Sequence, residues 1–422
     1  MEDEFQTEPV PDHASIAWWR IALMNSIFSI SLPMFLGGLE LVAAAPVETF
    51  VWGTILGGVF LTLIAAPMAV IGSQTRLSSY MLARSAFGTQ ASKVLNFAFA
   101  LSLLGWFGVN IELFGEAMQR LAVSMGYADV PLFALEALGG VLMTVLTFLG
   151  LRAINWLTLF VTPLLALITV LMLLAVLEAG SFQSIIAGGV PEGLSFGDVM
   201  SATVGTVAVG AVILPDTCRF VRSRWGSVGV AIATYLLSSS AVVLVAGLAG
   251  IATGETDLLP LMLAFGLGLG AFAIVFGGST TLNALNLYSA ALSIGTVLPD
   301  ARRGWVVVLG GIGGTVFAFL NILDNFIPFL IYLTVIFIPV GAVILADYFV
   351  IDRAPYAFEN RSALPAIRWP SLVAWGAGSG VALAAMEGLI TLSGTVAIDA
   401  ILVSFVLHLT LSKFSLQEEA IS

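Results

Sequence analysis

The sequence predicts an all-α integral membrane protein of about twelve transmembrane helices, and three observations predict it. Of its 422 residues, 59% are hydrophobic and only 10% are charged, against about 25% charged in ordinary soluble domains. The charges cluster, which leaves apolar stretches of roughly 20 residues or more, enough for a helix to cross a bilayer. The basic residues also alternate with the stretches as the two sides of a membrane would require. The two-residue alternation of a transmembrane barrel strand is absent.

The spans begin near Ile16, Val51, Val94, Val130, Trp156, Phe196, Val228, Leu258, Trp305, Phe326, Ser371 and Thr395. The regions at Ile16 and Leu258 run long and carry small or polar interruptions, which predicts unwound or tilted segments there. With the N-terminus inside, the cytoplasmic face receives Arg20, Arg76, Arg84, Lys93, Arg152, Arg219, Arg222, Arg224, Arg302, Arg303, Arg353, Arg361, Arg368 and Lys413. The outer face receives only Arg120, with the acids Glu48, Asp129, Glu192, Glu255 and Asp257. This bias predicts a multi-pass protein of the cell (inner) membrane with both termini cytoplasmic. It also checks the count, because one missed span would scramble the alternation.

Several function classes are excluded. The formal charge of -11, to which Glu2, Asp3, Glu4, Glu418 and Glu419 contribute, argues against nucleic acid as a partner. A single cysteine, Cys218, rules out an internal disulfide, and two distant histidines, His13 and His408, exclude a dense His/Cys metal cluster. No dinucleotide or P-loop fingerprint accompanies a strand–helix pattern. The first 15 residues are acidic and carry prolines, the opposite of a basic signal-peptide n-region, so targeting is expected from the first span. No nucleophile–base pair or metal set lies at mid-bilayer, so the chain is not expected to be an enzyme.

Two spans are interrupted alike. Span one reads Ser31-Leu32-Pro33-Met34-Phe35-Leu36-Gly37-Gly38, and span six reads Gly205-Thr206-Val207-Ala208-Val209-Gly210, followed by Pro215. Proline removes a helix hydrogen bond and glycine permits non-helical dihedrals. Each is the first of a five-helix set, and interruptions at matching positions in two halves point to an inverted-repeat transporter. An unwound backbone at mid-membrane exposes N–H and C=O groups that a solute can satisfy. The competing reading is ordinary Gly/Pro content and close helix packing.

Local motifs then carry a resemblance. The loop after span two reads Thr75-Arg76-Leu77-Ser78-Ser79, then Leu82-Ala83-Arg84-Ser85-Ala86-Phe87-Gly88. Span three carries Gly105-Trp106-Phe107-Gly108-Val109, and span six ends Pro215-Asp216-Thr217-Cys218-Arg219-Phe220. Span ten ends Pro339-Val340-Gly341, followed by Ala346-Asp347-Tyr348. In order and spacing, over roughly residues 10 to 350, these resemble the nucleobase–cation symporter-1 family of the purine/cytosine permease type, most of all its bacterial cytosine permeases. The resemblance implies a five-plus-five inverted repeat of the leucine-transporter type plus two extra helices. The core would cover 16–350, with repeats of about 16–178 and 196–350. A tail (1–15), a cytoplasmic loop (351–370), two peripheral helices (371–411) and a C-terminal tail (412–422) complete the chain.

The resemblance also implies uptake of a nucleobase or related small heterocycle by cation symport with alternating access. Trp106 matches the tryptophan that stacks on substrate, which suits planar bases. Phe35, Gly37, Gly38, Thr206 and Val207 would line the same site at the two breaks. Two positions depart from the pattern: Leu103 stands where a glutamine is expected and Val207 where an aromatic ring is expected. A pocket without that amide cannot read the same hydrogen-bonding edge. Asn110, four residues after Trp106, and Asn283 and Asn286 in span eight could replace the lost donors and acceptors; bonds between helices are the alternative.

No organic cofactor is implied, and the expected coupling ion is Na+. Ser279, Thr280 and Thr281 would ligate it with carbonyls around Ser26, Ser29 and Ile30, hard oxygen ligands for a hard cation; bonding to their own helix is the usual fate of such hydroxyls. The alternative driver is the proton, carried by Glu40 or Glu112, since carboxyls within spans are costly; Glu116 and Glu136 are further acids there. Asp216 and Arg219, spaced i, i+3, form an ion pair or a cytoplasmic gate. A channel or a non-transporting receptor for the same ligand are the other classes left open.

Overall fold

The computed structural model describes residues 8–124, 126–127, 130–179, 190–298, 300–320 and 322–421, and its regular elements there are all helical. Of the charges named above, Glu2, Asp3, Glu4 and Asp129 lie outside these residues. Seven helices are long and apolar enough to cross a membrane alone: Val47–Thr75, Ala91–Val123, Trp156–Glu178, Phe196–Cys218, Arg224–Thr253, Phe326–Ile351 and Val396–Phe414. The bent pair Trp18–Ser29 and Leu32–Ala44 makes an eighth. Two shorter apolar helices, Leu132–Phe148 and Arg303–Ala318, occupy the places of spans four and nine. Span eight runs from Gly268–Phe272 through Ala273–Gly278 into Ser279–Val297, and span eleven is Trp369–Met386. The chain order therefore accommodates twelve spans.

They pack as two groups. Spans one, two, six and seven gather together, and spans three, four, eight and nine form the second group. Span five bridges them by touching spans one, seven and eight. Span ten lies on span six, and spans eleven and twelve pack on each other and on span ten. Small residues set the first group's spacing. Gly53 and Gly57 of span two lie against Val199 and Thr203 of span six, while Gly205 faces the Leu330 carbonyl so closely that a methyl group would overlap it. In an apolar solvent such close approach, rather than hydrophobic exclusion, holds helices together.

Span one bends by 50° at its break. Ile30 (φ -106°, ψ 68°) and Ser31 (φ -139°, ψ 161°) are extended, and Pro33 sits in the first turn of the second half. There its missing N–H costs nothing, because a first-turn donor has no helical partner. Span six kinks at Val207 (φ -136°, ψ 20°), and Pro215 opens its last turn, Pro215–Cys218. The interruption expected near Leu258 is a separate short helix, Leu258–Ala264, that ends before Gly266 (φ 72°).

Two π-helical segments, Ile232–Ser239 in span seven and Ala273–Gly278 in span eight, have no sequence signal. A π turn loosens the i→i−4 ladder. Both touch span one, which carries the first break. The Thr234 carbonyl accepts from the Ser29 hydroxyl (3.0 Å), and Ser238 donates to Ser26 (3.2 Å).

The arginine-rich face is heavily tied. The N-terminal segment docks there, with Val10 buried, its N–H donating to the Arg76 carbonyl (3.1 Å) and its carbonyl accepting from Arg76 Nε (3.0 Å). The helix Ser79–Phe87, between spans two and three, is clamped by Arg368, whose Nη1 donates to the Ser85 carbonyl (3.0 Å), and by Ser371, which donates to Ala86 (2.6 Å). Arg368 also forks onto the buried Asp347 carboxylate at 2.5 and 2.9 Å. The Tyr356 hydroxyl donates to the same carboxylate (2.9 Å), and His408 Nε2 of span twelve lies 3.1 Å from it. Burial opposes the Arg368 charge, but Asp347, Tyr356 and Asp352 together raise the guanidinium pKa. Both far-separated histidine-bearing and loop segments are thereby fastened to span ten.

Removing one member of a buried, hydrogen-bonded charge cluster leaves the others uncompensated, at a cost of about 3–5 kcal/mol. Asp347→Ala is therefore expected to lower the melting temperature of detergent-purified protein sharply. Asp198→Ala, which removes an exposed capping box with Ser195, should cost only about 1 kcal/mol. Equal melting temperatures for the two variants would show that the cluster is not what fastens span twelve.

Candidate functional site

The two interrupted spans touch, and a cavity opens where they meet spans three and eight. Its wall comes from the span-one break (Phe28, Ser31, Pro33, Met34), from span three (Leu103, Trp106), from the span-six kink (Thr206, Val207, Val209, Gly210, Ile213) and from span eight (Leu282, Asn286). The wall is mostly apolar, with a few polar groups, as small-ligand sites are. Trp106 is held from behind by two span-ten rings at steep angles, Phe326 at 6.2 Å and Phe329 at 5.4 Å. That edge-to-face support fixes the indole plane.

The structure brings together only part of the expected set. Trp106, Leu103, Thr206 and Val207 line the cavity. Asn110 instead folds onto its own helix, its Nδ2 donating to the Trp106 carbonyl (2.8 Å). Asn283 turns into the span three–four–eight junction, donating to the Phe107 carbonyl (2.9 Å) and approaching Met143 Sδ (3.0 Å). Its neighbour Asn286 reaches the cavity, with one N–H on Asn283 Oδ1 (3.3 Å). Phe35 is fully buried in the core. Gly37 faces the Thr206 methyl, and Gly38 packs on the Val243 carbonyl of span seven. Leu282 and Asn286 are four residues apart and share a face, a spacing that separates Asn286 from Asn283. Phe28, Ser31, Met34, Val209 and Ile213 carry no motif of their own; proximity to the two breaks is their one sequence signal.

The residues expected around a cation lie beside this cavity. Ser279, Thr280 and Thr281 open the regular part of span eight just after its π turn, and all are buried. Thr281 donates to the Gly277 carbonyl (2.7 Å), while the Ser279 Oγ and Thr280 Oγ1 atoms are buried without a hydrogen-bond partner. Ser26 and Ile30 stand at the end of the first half of span one, which touches span eight. The Ser26 carbonyl accepts the Ile30 N–H (2.8 Å), and a carbonyl has a second lone pair to offer. Among the described residues, no three of His, Cys, Asp and Glu cluster as a metal site.

On the arginine-rich side, the Asp216 carboxylate accepts the Ser79 N–H at 2.6 Å, and Arg219 Nε donates to the Asp216 backbone carbonyl at 3.0 Å. The neighbouring Tyr80 hydroxyl donates to the Ser289 carbonyl of span eight (3.0 Å). The helix Ser79–Phe87 thus links the end of span six to span eight. On the opposite side, a second cavity is lined by Leu32, Leu36, Leu113, Glu116, Arg120 and Asp257 among others. There Arg120 pairs with Asp257 (2.6 Å), joining span three to the helix before span eight. Glu40 is exposed, whereas Glu112 and Glu136 are buried, the latter against Gly115 of span three.

Over residues 18–402 the chain matches the family described as permeases for cytosine/purines, uracil, thiamine and allantoin. It is 28% identical over 382 residues to cytosine permeases of Escherichia coli O157:H7 and of strain K12, covering 89% of this chain and 88% of theirs. Among solved structures it is similar to Mhp1 in an inward-facing conformation (TM-score 0.79, 16% identity, 97% of this chain and 93% of that one). It is equally similar to Mhp1, a nucleobase-cation-symport-1 family transporter, in a closed conformation with bromovinylhydantoin bound (TM-score 0.79, 17% identity, 96% and 94%). A Na+-coupled sialic acid symporter follows at TM-score 0.69, with 13% identity over 94% of this chain and 90% of that one. These structural likenesses establish the fold.

The cavity can be mapped chemically, because the single native thiol, Cys218, is buried. A cysteine at Leu103 or Leu282 is expected to react with a small methanethiosulfonate reagent, whereas one at Asn283 and the native Cys218 should resist. Labelling at Asn283 but not at Leu282 would reverse the assigned face of span eight.

Proposed function

The chain belongs to the family of permeases for cytosine/purines, uracil, thiamine and allantoin, and from that premise we propose that it imports a nucleobase-like heterocycle by Na+ symport. It is a multi-pass membrane transporter and not an enzyme. The observation that carries the proposal is the cavity in which the span-one break, the span-six kink, Trp106 and Asn286 converge. A planar heterocycle fits that chemistry: the indole offers a stacking face, and Ser31, Thr206 and Asn286 offer hydrogen bonds. The curated relatives are cytosine permeases and one structural neighbour holds a hydantoin, which supports a small heterocycle. Leu103 and Val207 give this wall neither an amide nor a ring, which favours a substrate other than cytosine.

Alternating access is supported by the two helix groups, each of which takes two spans from either half of the chain. That is the distribution a five-plus-five inverted repeat produces. The contact of Asp216 with Ser79 then serves as part of a cytoplasmic gate, and the arginine bias places both termini inside. Sodium is favoured by the buried hydroxyls of Ser279 and Thr280, oxygens left without protein partners beside the end of the first half of span one. Proton coupling is the second reading, and the burial of Glu112 within span three favours it over Glu40 as the carrier.

Uptake into proteoliposomes with imposed gradients tests the function, using a panel of radiolabelled heterocycles. Sodium-driven accumulation above equilibrium supports symport, and flux that only equalises concentrations would mean a channel. Trp106→Ala is expected to weaken substrate binding about tenfold to a hundredfold, as loss of base–aromatic stacking does. Unchanged affinity would move the substrate elsewhere. Thr280→Val keeps the shape and removes the hydroxyl. It should weaken Na+ binding and, because linkage is reciprocal, reduce the factor by which Na+ and substrate strengthen each other. Uptake driven by a pH gradient in sodium-free buffer, unaffected by Thr280→Val but abolished in Glu112→Gln, would transfer coupling to the proton.

A further inference from the structure

We propose that the groove between the N-terminal segment and the loop joining spans six and seven binds the headgroup of an anionic phospholipid. The groove is open to solvent, and its lining includes Asp12, His13, Ser15, Trp18, Arg222 and Ser223. Its two walls are fixed to each other: the Ile16 N–H donates to the Phe220 carbonyl (2.8 Å), and Arg76 binds the Val10 and Val221 carbonyls at 3.0 and 3.3 Å. The groove is therefore built into the fold.

Charge and aromatic placement select the occupant. Arg222 is exposed in the lining, Arg224 is exposed two residues further on at the start of span seven, and Arg20 is half-buried on span one. The one carboxylate in the lining, Asp12, faces Arg76 at 3.7 Å, so its charge is offset locally. On a chain with net charge -11, this local group of arginines is suited to attract an anion. Trp18, Trp19 and Trp225 are each exposed, at 45%, 49% and 69%. Arg20 lies over the Trp19 ring at 5.9 Å and Arg224 over Trp225 at 5.4 Å. Exposed tryptophans sit at the headgroup level of a bilayer, where arginines meet lipid phosphates. A soluble anion would use the arginines but not the three rings, so a lipid is the occupant that uses both.

The consequence is mechanical. Trp18 packs in the notch of Gly226 and Gly229 at the start of span seven. A headgroup held by Arg222 and Arg224 would clamp the first half of span one to span seven, two elements of one helix group. Anionic lipid should therefore stabilise that pair against separation.

The test uses full-length protein in detergent, titrated with dioctanoyl phosphatidylglycerol, dioctanoyl phosphatidylcholine or inorganic phosphate while melting is followed. A bound ligand raises apparent stability in proportion to its affinity. Phosphatidylglycerol is expected to raise the melting temperature well above phosphatidylcholine. Each arginine lost should weaken that lipid about fivefold, from roughly 1 kcal/mol per basic residue near an anionic surface. Arg222→Gln with Arg224→Gln should thus abolish most of the difference while heterocycle binding is retained; should the double variant fold poorly, Arg222→Gln alone carries the fivefold loss. Arg84→Gln with Lys93→Gln removes two exposed charges of the same membrane face and should leave the response intact. Equal stabilisation by both lipids overturns the proposal, as does an equal loss in the Arg84/Lys93 variant, which would mean diffuse attraction. Stabilisation by inorganic phosphate alone would also overturn it, in favour of a soluble anion.

Discussion

The rest of the structure depends on one constraint: a backbone N–H or C=O left unpaired in an apolar interior costs several kcal/mol. Spans one and six both break their ladders where no bulk water reaches. The molecule answers by bringing hydroxyls and loosened carbonyls to the same depth. Ser29 donates to the Thr234 carbonyl, freed by the π segment of span seven, and Ser31 donates to the Phe28 carbonyl (3.2 Å). Thr206 donates to Thr203 (2.6 Å) beside the span-six kink.

Keeping two broken spans in contact demands neighbours that are rigid and close. The close approaches of Gly205 to Leu330 and of Gly38 to Val243 let spans ten and seven press on the breaks from opposite sides. Span ten, in turn, supplies the rings behind Trp106 and ends in Asp347, which is fastened to Arg368, Tyr356 and His408. The peripheral helices thus act on the site through span ten. They stiffen the element that orients the indole, without touching the cavity themselves.

Much of the architecture was legible because membranes write in long words. Apolar length and arginine alternation mark the spans, and Pro33 marks the first break. The span-six kink falls at Val207, a β-branched residue with no breaker character; its flanking Gly205 and Gly210 indicate the region but not the residue. The π segments carry no signal at all. For the site, the Gly-Trp-Phe-Gly context locates Trp106. Asn283 and Asn286 are chemically identical in sequence, and only the facing of span eight against Phe107 and Met143 separates them. His408 looked solitary because its partner Asp347 is 61 residues away.

The scarcity of polar groups on the cavity wall has its own consequence for selectivity. Ser31 and Thr206 each spend their proton on a backbone carbonyl, which leaves oxygen lone pairs to accept from a ligand. Asn286 is the one amide side chain on the wall. On the proposed reading, a substrate would donate to the two hydroxyls while meeting an amide on one edge, with its remaining perimeter against Leu103, Val207, Val209 and Leu282. A ligand edge rich in acceptors would lie unpaired against those side chains, at about 1–3 kcal/mol for each buried group. On that reading, discrimination would come mainly from penalties against excess polarity, and only secondarily from bonds made to the correct ring.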